Sequence, residues 1–474
     1  VIEETNVESR IIGRCTVVRT LAASFVAVAF SAASVSAQQR PEVAVPDHPP
    51  PPGERGSQNV HVTTHVPLGA PETVADVELE QELDRPFAYV ARQEQAAGFD
   101  IIDLEDPDNG EVLYRWRIPN PELHQGSAMD CKYFWLDGRY YYVQSFQFSQ
   151  GGADAALAAV VVDVTSLPDT SGVEEAARIE LPEQPGGFHN IFMYKHSDGR
   201  VLLFATKGSG AQVYDMERLL ATNDADASRV ATVPIPGSSG ANGYHDFYVG
   251  FHPASGEDRF YGGGGRGYYV YDVSDLQQPE LLASAEHPGV TYAHTATPSP
   301  DGRYLVGETE FQYQPLRIFD LKPSLEDEVD VVSDAIGAWH ANWKTLAHNH
   351  EVRWPYVFVA GYETGMAVFN MIDPSEPYTV GYYDTYNGPH EGGGLPGVEG
   401  SDAMPGSRWT PDVINGAWGV DVRNADGLIV VSDKTTGFWA FRMEGFESWD
   451  GSRWGMPNIS SAQHWKEGPA GRTP

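Results

Sequence analysis

Four histidines recur at one place in a repeated pattern: FHNIFMY (188–194), YHDFYVG (244–250), AHTATPS (293–299) and AHNHEVR (347–353). Each heads a short run rich in β-branched and aromatic residues, the signature of a strand. His189, His245, His294 and His348 therefore head four successive inner strands, with His350 two positions beyond the last. Neutral imidazole binds zinc, copper or iron through a ring nitrogen. Three or four such rings converging on one axis are the donor set for a single transition-metal ion (Fe, Cu or Zn) with one position open to water or substrate. Ligating histidines usually donate their second N–H to a carboxylate. Asp246, Glu308, Glu310, Glu351 and Asp421 lie on or beside the same strands and are the expected supports. AWGVDVR (417–423) aligns with AHNHEVR, which sets Trp418 level with His348 and Asp421 level with Glu351. His124, His390 and Trp418 are expected at the channel rim, in contact with ligand. Strand alternation places His348 and His350 on one side and Glu351 on the other.

A single histidine at the head of a buried strand commonly only satisfies hydrogen bonds. Four at matching positions crowd rings into one channel without a structural need, and that repetition is the argument for a metal or polar ligand. His61, His65, His196, His252 and His287 fall in turns or on outer strands and are expected to be solvated. The run GGGGRG (262–267) lies between two strands, with no following helix and no P-loop lysine, so it reads as a turn and not a phosphate cradle. The chain contains no G-x-S-x-G elbow and no H-E-x-x-H pair.

The elements that position these residues follow from seven repeat endings: FDIIDL (99–104), AVVVDV (159–164), AQVYDM (211–216), YYVYDV (268–273), LRIFDL (316–321), MAVFNM (366–371) and FWAFRM (438–443). Counted at the acidic position, they are spaced by 60, 52, 57, 48, 50 and 72 residues. Strand-rich repeats of about 40–50 residues are the mark of a propeller, each blade a four-stranded sheet. The fold expected is all-β, a seven-bladed β-propeller. After FWAFRM the chain offers no clear outer strand, whereas NVHVTTHV (59–66) alternates like one. The ring is therefore expected to close through an N-terminal strand that completes the last blade, leaving no raw sheet edge. The Asp or Asn at six repeat endings reads as a turn-former. Helical periodicity is nearly absent, with hints only at EEAARI and MERLLA.

The pairs YVFVAGYETGMAVFNMIDPSEPYTVGYYD and FYGGGGRGYYVYDVSDLQQPELLASA resemble the LVIVD-repeat family of exported bacterial propellers over roughly residues 56–445. That resemblance implies the fold and export; it implies little about chemistry. Arg10, Arg14 and Arg19 precede the apolar run LAASFVAVAFSAASV and a small-x-small site at Val35-Ser36-Ala37. Residues 1–37 thus read as a signal peptide, 38–55 as a proline-rich leader, 56–445 as the propeller with an insertion at 386–415, and 446–474 as a tail. The expected location is periplasmic or secreted. Of two cysteines, Cys15 lies in the signal and Cys131 is left alone, a small buried hydrophobe.

The formal net charge of −35 repels nucleic acid and anionic membrane, and no membrane insertion is expected. The partner expected is a small molecule or polymer at the channel mouth. Three functions are consistent with these residues: a metal-dependent oxidoreductase using the histidines, a non-catalytic protein- or polymer-binding scaffold, and a polysaccharide lyase or hydrolase. Residues alone do not decide whether the chain is an enzyme.

Overall fold

The computed structural model describes residues 55–69, 73–119, 126–148, 154–237, 243–343, 345–388, 414–451, 463 and 465–466, all within one unit, Val43–Pro474. The signal segment 1–37, all of the leader except Arg55, His124, His390 and residues 389–413 of the insertion lie outside the described residues.

Seven four-stranded antiparallel sheets follow one another along the chain. In the first six, four consecutive strands pair in sequence order. The innermost strands are Val74–Leu79, Gly126–Leu136, Ile191–Lys195, Tyr244–His252, Ala296–Pro298, Asn349–Arg353 and Ala417–Val422. Each neighbours the innermost strand of the next blade, and Val74–Leu79 neighbours Ala417–Val422, so the series returns on itself. The chain is a seven-bladed β-propeller, as the repeat count predicts.

Closure occurs in the seventh blade. Val60–Val66 pairs antiparallel with Gly437–Met443, from Val60 opposite Met443 to Val66 opposite Phe438. The expected N-terminal strand is thus the fourth strand of the last sheet. Val60 and Val66 are buried while His61 and Val62 are exposed, so the strand has one face on the core and one in solvent.

Five of the repeat endings terminate in the same small device. Asp103, Asp163, Asp272, Asp320 and Asn370 each accept a hydrogen bond from the backbone N–H two residues on, at 2.8–3.1 Å. Asp215 instead caps the helix Met216–Thr222 through the Arg218 N–H. These acids are punctuation, as their turn chemistry suggests. MERLLA therefore forms the helix it hints at, whereas EEAARI lies in the outer strand Glu174–Glu180. The middle strands are buried on both faces and carry near-continuous apolar runs, as in Leu157–Asp163. Cys131, on the innermost strand Gly126–Leu136, is free and fully buried.

One expectation fails on a surface residue. His196 is only 1% exposed, not solvated; its Nε2 is hydrogen-bonded to the Val273 carbonyl at 3.2 Å and lies 3.2 Å from Asp258, which accepts from Ser197 and Tyr194. A turn between blades is buried when the neighbouring blade supplies a carboxylate beneath it.

Starting the chain at residue 67 would expose the Gly437–Met443 edge and lose the burial of Val60 and Val66, about 1.5–3 kcal/mol each. The truncated protein should melt on the order of 10 °C lower and associate through the bared edge, which differential scanning calorimetry and size-exclusion chromatography would register.

Candidate metal centre and the cavity beneath it

The imidazoles of blades three to six form a continuous row at one end of the axis. Ring centroids are 4.2 Å apart for His189 and His245, 3.8 Å for His245 and His294, and 5.0 Å for His294 and His348. The indole of Trp418 in blade seven continues the row, 4.0 Å from His348. Tyr362 stands edge-on to both, at 5.3 Å and 5.8 Å. Sequence alignment therefore locates Trp418 correctly, level with His348.

The local backbone explains why these rings meet. In blade four the ladder slips between Tyr244 and Asp246, and His245 is the residue bulged out of it. A second slip, between Ala417 and Gly419, displaces Trp418 in the same way. Bulges re-aim side chains and recur beside functional sites. His189, His294 and His348 stand just before their strands begin. Gly416 adopts a left-handed φ of 96°, and a Cβ there would collide with the Tyr362 carbonyl oxygen. That close approach permits the mutual Tyr362–Ala417 backbone bonds beside the row.

Hydrogen bonding sets the tautomers at both ends of the row. His189 Nδ1 lies 2.8 Å from Gln147 Oε1, and His348 Nδ1 lies 3.0 Å from the Trp418 carbonyl. An oxygen acceptor requires the proton on Nδ1, which leaves each Nε2 with a lone pair. Between them, His245 Nδ1 and His294 Nε2 are buried without a hydrogen bond. One donor atom each from His245, His294 and Glu310 falls within 4.8 Å of the others. Glu310 also accepts from Tyr362 Oη at 2.5 Å. Glu308 Oε2 approaches His294 Nδ1 to 2.8 Å but off the ring's N–H line, so it too lacks a hydrogen bond; Nδ1 engages Thr295 Oγ1 instead, at 2.8 Å.

Burial controls the charge of this cluster. It lowers the pKa of His189 to about 4 and holds His245, His294 and His348 well below the ordinary histidine value, with neighbouring rings pushing His245, His294 and His348 further down. Burial also raises Glu310 to about 7, opposed by the Tyr362 hydrogen bond and the Lys434 charge, and lifts Glu308 well above the carboxylate range. At neutral pH the row is a set of neutral lone-pair donors, the form a metal requires.

Three of the five expected supports lie at this cluster. Glu308 and Glu310 flank His294, and Asp246 reaches it through Thr295, whose Oγ1 is 3.2 Å from Asp246 Oδ2. Glu351 and Asp421 do not. Glu351 accepts from Arg353 at 2.7 Å and Tyr248 at 3.0 Å, and Asp421 accepts from the Leu79 N–H at 2.8 Å. His350 also stands apart, with no ring contact to the other four and Nε2 3.2 Å from the Val306 carbonyl of blade five. The strand begins at Asn349, so alternation does not extend back to His348. Asn349 and Glu351 line the axial cavity and His350 packs between blades.

Beneath the row lies the feature that sequence reading missed. Asp76, Glu78, Asp130, Asp246, Glu351 and Asp421, with Lys132, Asn190, Tyr248 and Asn349, line a small polar cavity with room for about one water molecule. They come from six blades, and Asn349 of blade six reaches Asp76 of blade one at 3.4 Å, so the cavity lies on the axis. Lys132 Nζ is 2.6 Å from Asp130, 3.3 Å from Asp76 and 3.6 Å from Glu78. Burial opposes its charge, but those three carboxylates prevail and raise its pKa. Burial raises Asp76 and Glu78 well above the usual range, and burial together with Asp130 lifts Asp246 to about 6. The signal was the alternation Asp76-x-Glu78 and Asp130-x-Lys132 on innermost strands, which reads in isolation as ordinary polar alternation.

No protein-family model matches the chain, and neither does any curated protein sequence. Among solved structures it is similar to the crystal structure of the WD40 beta propeller domain of Doa1, at 11% identity and a TM-score of 0.47, over 82% of this chain and 99% of that one. The class of protein is therefore set by its own strand pairing. It is a seven-bladed propeller with an imidazole row above an acidic cavity.

Two outcomes follow. Glu310 is harder to ionise folded than unfolded, so its cost to stability is absent below about pH 4.5 and accumulates up to about pH 7. In metal-free protein Glu310→Gln removes that cost, so the variant should gain on the wild type over this window, by about 3 kcal/mol at most, in urea melts at pH 4.5 and 7.5. Gly416→Val should destabilise the fold by about 3 kcal/mol in the same melts and weaken near-ultraviolet circular dichroism from Trp418 and Tyr362.

Proposed function

We propose that the chain is an exported, LVIVD-type propeller that binds one transition-metal ion, Fe, Cu or Zn, at the imidazole row and uses it as an oxidoreductase. The observation that carries this reading is the row itself: four neutral histidines from four successive blades, two of them with buried nitrogens that have no hydrogen bond, and Glu310 within reach. Buried polar atoms left without partners are costly, and a bound ion removes the cost. A mixed imidazole and carboxylate donor set suits these three metals and not calcium or magnesium. His245, His294 and Glu310 would hold the ion, and His189 or His348 would complete the set through Nε2.

The bound ion would supply Lewis acidity or redox capacity in a sheltered site. The chain's own contribution is orientation and exclusion of water. Gln147 and the Trp418 carbonyl fix the tautomers of the outer rings, and Thr295 ties His294 to Asp246. Tyr362 holds Glu310, while Trp418 and Tyr362 wall one side against solvent. Export rests on the residue pattern of positions 1–37.

The test is elemental analysis of full-length protein stripped and then reconstituted separately with zinc, copper and iron. Wild type should retain one ion per chain, His294→Ala should lose it, and His61→Ala, an exposed outer-strand control, should keep it. A His294→Ala protein that retains the ion, or a wild type that takes up none of the three, defeats the reading.

A further inference from the structure

We propose that the axial cavity beneath the row is a separate calcium site, with Asp76, Glu78 and Asn349 as its side-chain ligands. Six carboxyl groups line this cavity, and two cations stand among them. Arg353 takes Glu351 at 2.7 Å and lies 3.7 Å from Asp421. Lys132 stands closest to Asp130, at 2.6 Å. Backbone N–H groups serve three of the acids: Ile191 donates to Asp130, Phe247 to Asp246 and Leu79 to Asp421. The blade-one pair is left in a different state. Asp76 and Glu78 are two apart on Val74–Leu79 and both line the cavity.

Two oxygen donors at this place point to a ligand independently of the number of acids. Glu78 is 4% exposed and accepts no hydrogen bond from any described residue, with Lys132 Nζ standing off at 3.6 Å. Asn349 donates its amide N–H to Asp76 at 3.4 Å, while its Oδ1 is buried with no hydrogen bond at all. A buried carboxylate and a buried amide oxygen without donors are each costly, and a cation between them removes both costs. Burial opposes the charge of Asp76 and Glu78, and a dication offsets that penalty. The donors are oxygens, because the charged Lys132 offers no lone pair. Calcium takes carboxylate, amide and water oxygens in a flexible shell, whereas magnesium keeps several waters of its own. A cavity with room for about one water suits calcium. The row above, with its imidazole nitrogens, selects a different class of ion.

The experiment is calorimetric titration of chelator-stripped, full-length protein with calcium chloride and, separately, magnesium chloride. Wild type should bind one calcium per chain, at least about tenfold more tightly than magnesium. Glu78→Gln keeps the side chain's shape and removes a buried charge, so it should fold and bind calcium at least about tenfold more weakly. Asn349→Ala removes the amide oxygen, leaves both carboxylates, and should weaken calcium as well. Glu105→Gln, at an exposed acid, should bind as wild type does. No calcium uptake by wild type, equal affinity for the two ions, or wild-type affinity in Glu78→Gln overturns the assignment; the last result would mark ions held by outer acids. Zinc uptake in saturating calcium reports separately on the imidazole row. Glu78→Gln should load zinc as wild type does, so failure of the calcium site and failure of the row are distinguishable.

Discussion

A propeller exists only if its ring closes, and here closure depends on a short antiparallel pairing, Val60–Val66 on Gly437–Met443. Each blade has an apolar sheet face that must be covered by the next blade. Seven twisted sheets do this without a raw edge when the last one is completed from the other end of the chain. The convergence of the innermost strands follows from it. Residues that are 273 positions apart, Asp76 and Asn349, come within hydrogen-bonding distance only because the circle is complete. Every feature of chemical interest therefore inherits its geometry from a contact on the outer rim.

The axis is organised in two tiers of opposite acid–base character. The upper tier is imidazole, kept neutral because burial penalises the charged ring and each ring lies among others. The lower tier is carboxylate, gathered around Lys132, and burial there favours the protonated form of Asp76 and Glu78. Burial thus selects neutral rings above, exposing lone pairs, and protonated Asp76 and Glu78 below, while Lys132 among its carboxylates keeps its charge. Thr295 joins the tiers, touching His294 above and Asp246 below.

The fold was legible because its repeats are punctuated. An Asp at each of five strand ends and an Asn at a sixth mark the blades at spacings no helical protein would show, and the side-chain to backbone bonds they make explain why those residues are there. The row was legible because His189, His245, His294 and His348 stand at equivalent repeat positions. Legibility ended where register changes. Ladder slips in blades one, two, four and seven decide which residues face the axis, and no residue type marks such a slip. The slip in blade seven is why Asp421 was grouped with the row although it belongs to the lower tier, and His350 and Glu351 were grouped with it because the blade-six strand begins only at Asn349. The slips in blades one and two are also why Asp76, Glu78, Asp130 and Lys132 went unremarked. Tyr362 and Lys434 come from turns beyond the second strands of blades six and seven, so only the folded ring brings them to the mouth.

The pairing of an early strand with a late one also imposes an order on biosynthesis. Val60–Val66 leaves the ribosome long before Gly437–Met443, and its partner in the sheet does not exist until about 370 further residues have been made. A nascent chain can stack early blades, but it cannot hold the circle that lines up the histidines. Anything that needs the assembled row can therefore bind only after the last blade has been made and paired. A chain built this way has no axial site until its two ends have met.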